Sequence, residues 1–233
     1  MRPKDLIAPY SWAERRVVLH QGILFLPEFI EHGTYSLPHW SDPVLFGNEN
    51  PIEVEYCSGN GHWIIEKARR EPHRNFIAIE RRFERVRCIW SKRENQHLTN
   101  LLILCGEGYA ATKEYFPSES ISQIYVNFPD PWPKNRHAKN RLLDLKFAHE
   151  LHRVLKESGR FILATDDLKY ALSGSKEMLS QGGFEPITPY PHYITDPEGY
   201  GSSLFEKLWR SKGRTIYHIE FAKRQLLVNQ RVG

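Results

Sequence analysis

Ile121-Ser-Gln-Ile-Tyr-Val-Asn-Phe-Pro-Asp-Pro-Trp-Pro-Lys-Asn-Arg-His137 falls into three parts with different physics. Ile121 to Phe128 is an apolar run that predicts a buried strand, and a basic run with helical character begins a few residues later. Between them Pro129, Pro131 and Pro133 alternate with Asp130 and Trp132. Each proline fixes φ and pushes the preceding residue toward extended backbone, so this segment is a stiff loop and not a helix. Open α/β sheets bind ligands at the carboxyl ends of their strands, which is where this sequence holds a carboxylate and an indole. Lys134, Arg136, His137, Lys139 and Arg141 follow at once and point to an anionic substrate.

Working outward, the same strand-then-helix pattern recurs. Strands are predicted at Ile52 to Tyr56, Asn75 to Glu80, Leu101 to Cys105, Arg160 to Thr165 and Thr215 to Lys223, with Phe184 to Thr188 extended. Helices are predicted at His62 to Arg70, Arg82 to Gln96, Ala110 to Tyr115, Leu142 to Leu155 and Leu168 to Ser180. Alternation at this spacing predicts βαβ units and a parallel sheet covered on both faces. Residues 1–48 mix prolines and aromatics without a period and read as an N-terminal arm, leaving 49–233 as one domain.

Composition sets outer limits. The chain has 233 residues, 40% apolar and 26% charged, as expected of a folded domain. A net charge of +4 permits nucleic-acid binding without arguing for it. Cys57, Cys88 and Cys105 are odd in number and widely spaced, which argues against a disulfide framework or a zinc cluster and for a reducing, cytoplasmic setting. The early apolar stretch Ile23 to Ile30 contains Pro27 and Glu28 and reads as neither a signal core nor a membrane span.

The turn after the first predicted strand, Val54-Glu-Tyr-Cys-Ser-Gly-Asn-Gly61, has Gly59 and Gly61 but Ile64 at the third position of a dinucleotide fingerprint. Alone, this is a strand–turn–helix junction needing glycine for geometry. Glu80 at the end of the next strand can accept from both ribose hydroxyls, and Glu107 after the third can hold an adenine amine. With Asp130 these make one constellation across four strand ends, which predicts a nucleoside cofactor. A pyrophosphate wants helix-terminal N–H groups and few carboxylates nearby. Glu55 and Asp130 suit the cationic S-adenosylmethionine better than a nicotinamide dinucleotide.

These residues resemble the bacterial tRNA (guanine-N7-)-methyltransferases over about Glu53 to Phe221. The resemblance rests on Val-Glu-x-x-x-Gly-x-Gly at Val54 to Gly61, Ile79–Glu80, the long motif Asn127 to His137, Thr165–Asp166 and Phe205–Glu206. It implies a Rossmann-like class I methyltransferase sheet, mostly parallel with the last strand antiparallel and helices on both faces. It implies S-adenosylmethionine held by Glu55, Gly59, Gly61, Glu80, Glu107 and Asp130, with Asp130 closest to the transferred methyl. Lys134, Asp166, Ser203 and Glu206 would contact tRNA, and Arg136, His137, Lys139 and Arg141 its phosphates. The expected product is 7-methylguanosine in the variable loop, made by a monomer or homodimer with no obligate protein partner and no metal. Three departures stand out: Cys57 replaces a usual glycine, Ser203 a usual threonine, and Glu107 a usual aspartate.

Guanine N7 carries a free lone pair, so its attack needs no general base, only alignment and charge stabilisation. Asp130 or Asp166 can supply the charge. Trp132 reads equally as a base-stacking platform and as a packing wedge. His149 and His152 share a helical face with no third metal ligand. Three rivals are an exocyclic-amine methyltransferase, a noncatalytic RNA-binding scaffold and a nicotinamide oxidoreductase.

Overall fold

The protein is described from a computed structural model at residues 1–11, 14–28, 35–132, 136, 141–195, 197, 200 and 204–224, with Leu204 and Phe205 as backbone only. The expected strands form the middle of one sheet: β3 (Ile52–Tyr56), β4 (Asn75–Glu80), β5 (Leu101–Cys105), β6 (Ile121–Asn127) and β7 (Leu155–Thr165). Within it they run in the order β5-β4-β3-β6-β7, all parallel. β10 (Tyr217–Lys223) closes against β7 antiparallel, and β8 (Phe184–Pro186) and β9 (Ile194–Thr195) pair with β10.

Period-two alternation sorts each central strand into two cores. Val54, Tyr56, Ile77, Ile79, Ile124 and Val126 face one side, where α3 (Gly108–Tyr115), α4 (Leu145–Val154) and α5 (Leu168–Gln181) pack. Phe76, Ala78, Ile103 and Tyr125 face the other, where α1 (His62–Arg70) and α2 (Phe83–Asn95) pack. Every residue of β3 and β4 is buried, as a doubly covered sheet requires. Among the described residues no helix is long and apolar enough to cross a membrane.

The N-terminal arm, which shows no sustained period in sequence, carries two strands. β1 (Val18–His20) and β2 (Ile23–Phe25) form a hairpin, and β2 adds to the sheet parallel to β5. Its two-residue turn, Gln21-Gly22, has φ of 50° and 65°, the two positive values that a tight hairpin turn needs. The buried Arg93 of α2 clamps this turn, donating to the carbonyl oxygens of Gln21 (2.5 Å) and Gly22 (2.7 Å). The structure differs from expectation elsewhere too. β7 begins at Leu155, before the expected Arg160, with a register irregularity opposite Ile121 and Gln123. A helix that sequence reasoning missed, α6 (Leu204–Ser211), precedes β10.

Candidate functional site

The carboxyl ends of β3 to β6 open into one cleft of about 790 Å³. The turn after β3 borders it through Cys57, with the expected Gly59 and Gly61 outside its lining; the three take φ of 61°, 55° and 74°. Cys57 thus holds left-handed backbone that favours glycine, which accounts for the family's usual residue there. Burial, then the charges of Glu80, Asp130 and Glu55, push its thiol well up, so it stays protonated at neutral pH. A Cβ on Gly61 would lie 2.8 Å from Cγ1 of Ile89 in α2, so this glycine lets α1 and α2 close. Gly61→Ala is expected to destabilise the fold by about 2–4 kcal/mol, from left-handed strain plus overpacking. The urea midpoint of unfolding measures it, and an unchanged midpoint would show that the turn relaxes freely.

Glu80 joins the turn to the end of β4. Its Oε2 accepts from Gly59 N (3.0 Å), its Oε1 from Arg82 N (2.9 Å), and Arg85 stands 3.7 Å away. Glu107 caps α3, accepting from Tyr109 N (2.9 Å) and Ala110 N (2.7 Å). Both line the cleft. Each ionised carboxylate has about four lone-pair sites, so each keeps acceptor capacity for a ligand.

Asp130 is exposed at the cleft, and its carboxylate has no hydrogen-bond or ion-pair partner among the described residues. The loop carrying it is strained at both ends, with Phe128 at φ 49° and Trp132 at φ 42°. It is held from outside. Phe128 N donates to Ala164 O (2.8 Å), and the Arg141 guanidinium donates to Pro131 O (3.1 Å) and Trp132 O (3.2 Å). Arg141 therefore anchors the loop, a role that the sequence reading did not include.

Glu55 is buried on the other face of β3 and does not border the cleft. Asn127 Nδ2 donates to its Oε1 (2.7 Å), and Tyr200 in turn donates to Asn127 Oδ1 (2.6 Å). Its Oε2 is buried without a partner. Burial raises the carboxyl to about 7, partly offset by the Asn127 and Ser58 hydrogen bonds. The folded form thus holds a proton that the unfolded chain releases near 4.5, and this stabilisation is full below 4.5 and lost as pH rises through 7. His218 acts oppositely, since burial lowers it to about 4 and its contribution is lost as pH falls. The stability of wild type relative to Glu55→Gln isolates the first effect, because both proteins share His218. That difference is expected to move against wild type by about 3 kcal/mol between pH 5 and 8, as read by urea unfolding; a constant difference would mean that Glu55 ionises normally.

Asp166 lines the cleft mouth and is ion-paired with Arg214, whose guanidinium lies 4.1 Å over Trp209 of α6. Glu206 is buried away from the cleft, accepting from Arg210 Nε (3.0 Å) and Nη2 (2.8 Å). Arg136 is exposed; Lys134, His137, Lys139 and Ser203 lie outside the described residues. The structure thus brings Glu80, Glu107, Asp130, Asp166 and Arg141 to one cleft. It adds Arg81, Arg82, Lys146, Tyr109 and Trp209, none of which was singled out from the sequence.

Comparison with known proteins matches this geometry. A family described as "Putative methyltransferase" matches residues 49–219. A tRNA (guanine-N(7)-)-methyltransferase of Chlamydia abortus is 46% identical, covering 96% of this chain and 99% of that protein. The chain belongs to the tRNA (guanine-N7-)-methyltransferase family. A more distant member, from Rubrobacter xylanophilus, is 31% identical over 82% of this chain and 85% of its own length. Among solved structures, an antibiotic-related methyltransferase superposes with a TM-score of 0.56 at 18% identity, covering 83% of this chain and 98% of its own. The 16S rRNA methyltransferase KamB gives 0.56 at 14% identity, covering 77% and 90%. At those identities the likeness concerns the fold alone, a Rossmann-like sheet of the kind described above.

The site's residues fit the family's cofactor, S-adenosylmethionine. That molecule needs acceptors for a ribose diol and an adenine amine, and negative charge near an ammonium and a sulfonium. Glu80 and Glu107 keep free lone pairs in the cleft, and Asp130 has no partner among the described residues.

Proposed function

We propose that this chain transfers a methyl group from S-adenosylmethionine to N7 of a guanine in tRNA, giving 7-methylguanosine. The observation that carries the reading is the Asp130 carboxylate, without a partner among the described residues, on a strained, anchored loop at the mouth of a cleft that Glu80, Glu107, Asp144 and Asp166 also line. Bound S-adenosylmethionine supplies an activated methyl on a cationic sulfonium. Glu80 takes the ribose hydroxyls and Glu107 the adenine edge, whereas Glu55, on the other face of β3, holds Asn127 and leaves the cofactor to the acids of the cleft. Asp130 faces the reacting atoms and stabilises the positive charge that spreads into the purine as N7 bonds to carbon. No proton leaves N7, so the chain contributes alignment and electrostatics, not a base.

Asp166, held by Arg214, offers its remaining acceptor sites to the guanine N1–H and exocyclic amine. Lys134 and Ser203 complete the tRNA contact, and Arg136, His137 and Lys139 take the phosphates, which position RNA without reading its sequence. Glu206, buried against Arg210, and Arg141, which anchors the loop, are structural. The substrate puts the enzyme in the cytoplasm. RNA's major groove is deep and narrow, so the target guanosine has to leave its stack before N7 is reachable.

The test is methyl transfer from labelled S-adenosylmethionine to unmodified bulk tRNA, followed by identification of the labelled nucleoside. Label in 7-methylguanosine is expected. Label in an exocyclic-amine product would move the base chemistry to the first rival, and intact cofactor binding with unlabelled tRNA would remove tRNA as the substrate.

A further inference from the structure

The cleft has acids within and cations at its edge, and the cations divide into two groups. Arg85 stands by Glu80, Arg141 is committed to the loop carbonyls, and Arg214 is paired with Asp166. Arg81, Arg82 and Lys146 are different. All three line the cleft, all are exposed, and none of their side chains has a hydrogen-bond or ion-pair partner among the described residues. Asp144, the acid nearest Lys146 in sequence, accepts from Phe147 N at the cap of α4.

Their placement is two-sided. Arg81 and Arg82 lead into α2 on one face of the sheet, and Lys146 lies in the first turn of α4 on the other. Unpaired cations around a pocket for a net-cationic cofactor oppose its binding. The cofactor's single carboxylate cannot satisfy three of them. A polyanion lying across the mouth can.

We propose that Arg81 and Arg82 on one lip, and Lys146 on the other, bind backbone phosphates flanking the guanosine that enters the cleft. The proposal rests on the tRNA reading above and extends the RNA footprint across both lips, beyond the basic run that follows Trp132. Phosphates on either side hold the strand open over the cleft while its base is inside. Arg82 contributes to Glu80 only through its backbone amide, so its side chain is free for this role.

The experiment compares wild type with the triple variant Arg81→Ala/Arg82→Ala/Lys146→Ala. Filter binding of unmodified bulk tRNA across a salt series gives the slope of log affinity against log salt, and calorimetry gives S-adenosylmethionine affinity. Each lost phosphate contact lowers that slope by about 0.7–0.9, so the variant is expected to be shallower by about 2 and to bind tRNA at least about tenfold more weakly at low salt. Cofactor affinity is expected to stay equal or rise, which also reports an intact fold. An unchanged slope overturns the proposal. So does a loss of cofactor affinity with tRNA binding spared, which would give these groups to the cofactor's carboxylate. The titration needs no turnover: failure of wild type to form 7-methylguanosine would sink the reading of the reaction, while the slope still decides the lips.

Discussion

Asp130→Ala is expected to lower single-turnover methyl transfer about 100- to 1000-fold, the cost typical of removing one group aimed at developing charge. The side chain is exposed and has no partner among the described residues, so its removal breaks no contact among them and the thermal midpoint should not move. Affinity for tRNA should stay within about threefold, because phosphates dominate that binding. Cofactor affinity should fall only modestly, since Glu80 and Glu107 remain. Asp130→Asn separates charge from shape: it keeps the volume and one acceptor oxygen, and should recover little of the rate if charge is what matters. Near-normal turnover of the alanine variant would remove Asp130 from the reacting centre.

Glu80→Ala is expected to weaken S-adenosylmethionine binding about 100-fold by calorimetry, with tRNA affinity spared. Hydrogen bonds to a charged group contribute about 1.5–3 kcal/mol each, and a ribose diol offers two. The same carboxylate also holds Gly59 N and Arg82 N, so alanine frees two amides beside the cleft. Glu80→Gln controls for this because it can still accept one of those bonds. It should keep most of the thermal stability while losing a large part of the affinity. Should both variants bind the cofactor normally, the ribose is held elsewhere.

The central fold was legible because each of its strands is a short apolar run ending in turn formers. β3, β4 and β5 match the expected bounds, and β6 ends one residue early at Asn127. The hairpin at the N-terminus was not. Its strands have three residues each, and Gln21-Gly22 is not one of the asparagine or aspartate pairs that announce such turns. The missed start of β7 runs through Glu157-Ser158-Gly159, an irregularity with Ser158 at φ 59° that lies between the Leu155 and Arg160 pairings to β6, so the strand starts before its turn-like residues and resumes after them.

At the site, acids at strand ends were readable because sheet topology sends those ends to one place. Glu55 follows a different rule. Alternation along β3 turns it away from Tyr56 and the cleft toward Asn127, a consequence of period two that reading strand ends alone passes over. Two ion pairs show the opposite limits. Glu206 and Arg210 are one helical turn apart, visible once α6 is recognised, whereas Asp166 and Arg214 are joined only by the fold. The cations of the lips were hard to see for the same reason, since α2 and α4 lie on opposite faces of the sheet and only the fold brings their first turns to one cleft.

The parallel seating of β2 beside β5 has a consequence for the order in which the chain is made. Residues 23–25 leave the ribosome well before residues 101–105, so the hairpin has no neighbour when it first appears. Ile23, Leu24 and Phe25, all buried at the end, stay exposed until β3, β4 and β5 have assembled. Arg93 then supplies the clamp on Gln21 and Gly22, and it too is synthesised late. The first strands to be made thus wait for β5 before they dock, and docking covers an edge of β5 that would otherwise invite pairing with another nascent chain.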